Sequence, residues 1–176
     1  LMMGPEVYGK YRLIRSIASG GMAEVLLARS SSIGGFEKIL AIKRMHPKLS
    51  VHRGFVSLFI EEAKLWVALN HPNIVQVFDF GKVDDNYYIA MEFVDGLDLA
   101  FLAAQARADG VAINPAAVIY IMKQVFDGMA YAHNKRDHTG KPAGVIHRDI
   151  SPHNLLVSFE GQVKISDFGI AKAAEE

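Results

Sequence analysis

The stretch His147-Arg148-Asp149-Ile150-Ser151-Pro152-His153-Asn154, followed by Asp167-Phe168-Gly169, decides how the rest of the chain is read. Between the two lie the β-prone runs 155–159 and 162–165, which predict a hairpin around Glu160-Gly161. A short loop and a tight hairpin bring two carboxylates and one amide towards one place. Magnesium prefers a few oxygen ligands and keeps its waters. Asn154 and Asp167 are therefore adequate metal contacts where phosphate oxygens supply the rest, and Asp149 is left to accept a hydroxyl proton. For either tripeptide alone the plainer reading is a loop salt bridge and a turn, because three-letter matches are cheap.

A second cluster argues against the plain reading. The strand-like run 39–43 has a two-residue period that puts Ile39, Ala41 and Lys43 on one face. Small Ala41 leaves room for a flat ring beside the Lys43 cation. Phe55, Leu58, Phe59, Leu65, Trp66 and Leu69 then fall at helical spacing, ended by Asn70-His71-Pro72. The gap in that apolar stripe is filled by Glu62, while Glu61 is rotated off it. A carboxylate on an inward face is costly unless paired, and Lys43 is the sensible partner.

Further out, Ala18-Ser19-Gly20-Gly21-Met22-Ala23-Glu24-Val25 lies between β-prone runs at 11–17 and 25–28. Small residues let backbone amides approach phosphate oxygens there. The loop is not a P-loop, since no Gly-Lys-Ser/Thr follows, nor a dinucleotide fingerprint, since a strand comes next. Runs 74–80 and 87–94 predict a strand pair across 81–86. Beyond Asp95-Gly96 the pattern turns helical: an Ala-rich helix over 97–108, and a second opened by Pro115 after the cap Asn114 and running to about His133. A strand-rich half joined to a helix-led half near residue 95 predicts an α+β, two-lobed layout.

Composition narrows the partners. Nineteen basic residues balance nineteen acidic ones, so there is no electrostatic footprint for nucleic acid or an anionic membrane. The absence of cysteine excludes a disulfide scaffold, an iron–sulfur site and a thiol nucleophile. No apolar run reaches the roughly 18 residues of a spanning helix, so the expectation is a cytoplasmic domain. None of the seven histidines falls in His-Glu-x-x-His, and His46, His52, His138 and His153 read as loop or surface residues. No Gly-x-Ser-x-Gly elbow supports a hydrolase.

Taken in order, the loop at 18–25, Ala41-Ile42-Lys43, Glu62, His71-Pro72-Asn73-Ile74-Val75, Met91-Glu92-Phe93-Val94, the 147–154 loop and 167–169 resemble a protein kinase. The likeness is strongest to the bacterial members of the eukaryotic-type Ser/Thr kinases. It implies a bilobal kinase fold with a strand-rich N-lobe over 11–94, a partial helical C-lobe over 95–176, and residues 1–10 as an extension. It implies Mg2+ and ATP as cofactors and a protein with a Ser/Thr acceptor as substrate, with no nucleic acid and no membrane segment. Lys43, oriented by Glu62, then holds the α- and β-phosphates, and Ser19, Gly20 and Gly21 lie over them. Val25, Ala41 and Leu156 pack the adenine and Met91 is the gatekeeper. Backbone groups of Glu92 and Val94 meet the base edge, and Asp98 the ribose. Asp149 is the catalytic base, with Asn154 and Asp167 as magnesium ligands. Trp66, Val77, His147 and Phe168 fall on the family's internal apolar column.

The chain departs from the family pattern at Ala18 and Ala23, where glycines are usual. It departs again at Ser151, where a Lys usually neutralises the transferring phosphate. Pro152 fits the Ser/Thr pattern. The sequence stops soon after Asp167-Phe168-Gly169, and the helix over 115–133 carries more apolar surface than one neighbour can hide. The expectation is a fragment with a nearly complete nucleotide site and no peptide groove. A pseudokinase-like nucleotide sensor or scaffold is the alternative reading.

Overall fold

The computed structural model describes residues 6–31 and 35–168. Gly169 and the residues after it lie outside that range. The chain divides into two units, Leu1–Val67 with Gln76–Phe93, and Ala68–Val75 with Val94–Glu176.

In the first unit the described strands are β1 (Glu6–Tyr8), β2 (Tyr11–Ser19), β3 (Ala23–Ser31), β4 (Glu37–Met45), β5 (Val77–Val83) and β6 (Asn86–Glu92). They form one antiparallel sheet ordered β1-β2-β3-β4-β6-β5. The sheet thus starts inside the segment expected to be an extension. Helices α1 (Pro47–Ser50) and α2 (Arg53–Val67) follow β4. Register sets the faces: Val25 pairs with Lys43, and Ala41 with Met91. Because side chains alternate along a strand, Val25, Ala41, Lys43 and Met91 share one face. The opposite face carries Leu26, Ala28, Leu40, Ile42 and Ala90, which pack into a core with Tyr8, Tyr11, Leu13 and Tyr88.

That core curls the sheet until its edges meet. The Tyr11 hydroxyl donates to Asp79 Oδ2 at 3.0 Å, joining β2 to β5, and the Tyr8 hydroxyl donates to the Asn86 carbonyl at 3.2 Å. Both rings meet Tyr88 edge-on with centroids 5.6 Å apart. Burial pushes the Tyr8 hydroxyl up to about 12, which keeps it a donor. The β5–β6 turn falls at Asp84-Asp85 rather than across 81–86, with Asp84 at φ 50°. Gly81 is a strand residue because Tyr88 covers it: a Cβ there would lie 2.6 Å from the Tyr88 hydroxyl oxygen.

The second unit holds β7 (Gly96–Asp98), α3 (Leu99–Ala108), α4 (Pro115–His133), β8 (Leu155–Ser158) and β9 (Val163–Ile165), the strands ordered β7-β8-β9. Helix α3 starts later than the pattern predicted because Asp98 is its cap, accepting the Phe101 N–H at 2.8 Å. Helix α4 starts where Asn114 and Pro115 place it, with Asn114 accepting from Ala116 N at 2.9 Å. Residues 70–75 lie against this unit. Asn73 Nδ2 donates to Gln124 Oε1 and to the Val163 carbonyl, and the Ile165 N–H donates to the Asn73 carbonyl. One face of α4 buries Val125, Gly128 and Ala132, while Val118, Ile119, Tyr120 and Phe126 are exposed. No described helix is long and apolar enough to cross a membrane.

Gly96 shows how tightly β7 lies on β8. A Cβ there would collide with the Val157 carbonyl oxygen and lie 2.5 Å from Ser158 Cα, both backbone atoms that cannot swing aside. Gly96→Ala is expected to lower stability by about 3 kcal/mol, as overpacking against a rigid wall does. Urea unfolding of the variant against wild type checks it, and an unchanged midpoint refutes it.

Candidate active site

In the first unit, Lys43 comes from β4 and Glu62 from the inward face of α2. Lys43 Nζ stands 2.6 Å from Glu62 Oε1, with side-chain exposures of 15% and 5%. Glu61, the neighbour read as solvated, is exposed. Two charges withdrawn from water tolerate that burial when they are paired, as these are. Trp66, one turn beyond Glu62, is fully buried with its ring centroid 5.9 Å from Lys43 Nζ. An indole face beside the ammonium gives this bulky residue a reason to be there.

Val25, Ala41 and Met91 surround Lys43 on the same sheet face. Met91 and Ala41 are buried, and Val25 is half-buried. The Glu92 N–H already donates to the Gln76 carbonyl at 2.8 Å, so Glu92 can offer its carbonyl, and not its N–H, to a ligand edge. Ser19 ends β2, and Gly20 and Gly21 form the exposed tip before β3.

In the second unit the loop 147–154 is a network. Asn154 Nδ2 donates to the Asp149 carbonyl at 2.9 Å and to Asp149 Oδ2 at 3.1 Å. The Ser166 N–H donates to the Asn154 carbonyl at 2.9 Å, which brings the residue before Asp167 against the loop. Asp149, Asn154 and the 166–168 segment therefore converge. Arg148 and Asp167 are held at φ 63° and 53°, a left-handed conformation that non-glycine residues adopt at a cost of roughly 1–3 kcal/mol. Asp98 faces β8 opposite Leu156, and its Oδ1 is engaged as the cap of α3.

His147 ties the network together. It is buried, its Nδ1 accepts the Asp149 N–H at 3.2 Å, and its Nε2 bonds the Ser166 carbonyl at 2.8 Å. An acceptor at Nδ1 and a donor at Nε2 require the neutral ring. Its ring lies 4.6 Å from that of Phe168. Burial holds the imidazole below its ordinary value of 6.5. A depressed histidine value means the unfolded chain binds the proton more readily. Its contribution to stability is thus complete above pH 6.5 and is lost as pH falls through the folded value. His147→Phe is expected to be less stable throughout but flatter in Tm between pH 7 and pH 5. Parallel pH curves for variant and wild type would reject this.

The sequence places His46 in a loop or at the surface. In the structure its ring Nε2 bonds the Gly20 carbonyl at 2.8 Å. Nothing in the local pattern signals that contact, because it joins residues 26 apart in the chain.

The protein kinase domain model matches residues 11–176. The tyrosine-protein kinase MasK of Myxococcus xanthus is 42% identical over 168 residues, which cover 96% of this chain and 26% of that protein. The serine/threonine-protein kinase PrkC of Bacillus subtilis is 36% identical over 173 residues, covering 98% and 24%. Among solved structures, the Mycobacterium tuberculosis PknI kinase domain aligns with a TM-score of 0.75 at 27% identity, covering 97% of this chain and 62% of that one. The chain thus spans about a quarter of the length of these curated relatives. With Lys43 on Glu62 and Asp149 on Asn154 in the matching order, this chain belongs to the protein kinase domain family.

Proposed function

We propose that this domain transfers the γ-phosphoryl group of ATP to a Ser or Thr hydroxyl of a protein, in the cytoplasm. The observation that carries the reading is the buried Lys43–Glu62 pair at 2.6 Å. Such a pair is weak evidence for stability, but it holds the Lys43 ammonium in one orientation, which supports a role in gripping phosphate. In this reading Lys43 takes the α- and β-phosphates and Glu62 orients it, while Ser19, Gly20 and Gly21 lie over the phosphates. Val25, Ala41, Met91 and Leu156 are the purine contacts. The Glu92 carbonyl and the Val94 backbone meet the base edge. A ribose contact by Asp98 falls to Oδ2, since Oδ1 caps α3.

Asn154 and Asp167 are the residues that would hold Mg2+. Both bring hard oxygens, and the Asn154 NH2 is turned to Asp149, which leaves its amide oxygen for a cation. When bound, the ion neutralises phosphate charge. Asp149 accepts the acceptor hydroxyl proton.

A tyrosine acceptor is the second reading. It is favoured by the relative named a tyrosine-protein kinase and by Ser151 standing where Ser/Thr kinases usually carry Lys. The full-length protein, given labelled Mg-ATP and a generic basic protein, is expected to yield phosphoserine or phosphothreonine. Phosphotyrosine alone would move the assignment to the second reading. A Tm raised by Mg-ATP without any transfer would leave only a nucleotide-binding sensor.

A further inference from the structure

We infer that His46 is a positioning residue for the 20–22 loop, a clamp that registers the phosphate-covering tip to the strand carrying Lys43. The inference rests on the reading of that loop as phosphate-binding. Little packs against the two glycines of the tip. Its internal backbone bond is Gly20 N–H to the Ala23 carbonyl at 2.9 Å. A Cβ at Gly21 would touch nothing within 4 Å, and one at Gly20 would meet only the Ala23 carbonyl oxygen at 3.7 Å. Glycines in open space have the largest conformational freedom to lose when they are ordered over a ligand.

His46 supplies two ties. Its backbone N–H donates to the Met22 carbonyl at 3.0 Å, and its ring Nε2 bonds the Gly20 carbonyl at 2.8 Å. The ring is not occupied elsewhere in the helix it precedes: His46 is the N-cap of α1, yet its side chain makes no cap hydrogen bond. Ser, Thr, Asp or Asn would serve a cap better. The imidazole is instead turned back onto the loop. His46 lies just beyond β4, three residues after Lys43, so the clamp fixes Gly20 relative to the strand that presents the ammonium.

The chemistry names the substitution that separates a clamp from mere bulk. A carbonyl only accepts, so Nε2 carries the hydrogen, and an amide NH2 of similar reach can replace it. Gln therefore restores the bond, and Ala removes it while leaving the backbone tie to Met22.

The test uses the full-length protein with His46→Ala and His46→Gln. For Ala, KM for ATP is expected to rise about three- to tenfold, the range one net hydrogen bond spans. KM for the protein acceptor and kcat should change little, and Gln should return KM for ATP close to wild type. Without nucleotide, amide hydrogen exchange over 20–23 should quicken in Ala and recover in Gln. Unchanged exchange in His46→Ala, or a Gln variant no better than Ala, overturns the clamp. Faster exchange with unaltered KM for ATP also overturns the proposal, because the clamp then serves no nucleotide. A wild-type protein that neither binds ATP nor transfers phosphate defeats the phosphate-loop reading itself, whatever the exchange data show.

Discussion

Asp149→Asn is expected to cut phosphoryl transfer severely while leaving the fold and nucleotide binding in place. The substitution is nearly isosteric. The Asp149 N–H still reaches His147 Nδ1, and the Asp149 carbonyl still receives Asn154 Nδ2 at 2.9 Å. An amide oxygen at position 149 can accept the second Asn154 bond, now 3.1 Å to Oδ2. What the amide cannot do is take a proton from an attacking hydroxyl. A positioned general base contributes about 10²- to 10⁴-fold, so kcat is expected to fall by roughly 10³. The rise in Tm on adding Mg-ATP should persist in the variant, because that shift reports binding to the native state alone. Steady-state transfer of labelled phosphate and a thermal melt, run on the same preparation, separate the two. Transfer at wild-type rate in Asp149→Asn would remove Asp149 from the role of base.

The parts legible from sequence are those fixed by local chemistry. Asn114 and Pro115 determine where α4 starts because a cap and a preset φ act within one turn. Glu160-Gly161 marks the β8–β9 turn, where Gly161 has φ 84°. Glu62 is legible because a carboxylate on an apolar stripe demands a partner. What escapes is long-range or two-sided. Gly81 reads as a breaker, yet it is a strand residue whose missing side chain admits Tyr88 from the paired strand. β1 and the closure of the sheet through Tyr8, Tyr11 and Asp79 depend on bonds between residues 68 and 78 apart, which no periodicity carries. Residues 68–75, read with the strand-rich half, group with the second unit because Asn73 satisfies the β9 backbone there.

Lys43→Met is the second large effect, and it should strike stability and chemistry separately. Removing the ammonium leaves Glu62, 5% exposed, as a buried carboxylate without the partner that now sits 2.6 Å away. Breaking a buried pair from one side costs about 3–5 kcal/mol. Little of that is packing, since Met fills similar space and its sulfur is compatible with the neighbouring Trp66 ring. Glu62→Met alone strands the ammonium instead, though Lys43 is somewhat more exposed at 15%, so the cost should be smaller. The double variant, with neither charge, is expected to recover most of the lost stability, because a buried pair contributes little net beyond an apolar replacement. None of the three should transfer phosphate, and Mg-ATP should no longer raise Tm wherever Lys43 is gone. Melting temperatures of the four proteins give the coupling between the two residues, and transfer assays give the activity. A double variant less stable than Lys43→Met would show that the pair is not coupled as its 2.6 Å geometry requires. A Lys43→Met protein still stabilised by Mg-ATP would take the phosphates away from Lys43.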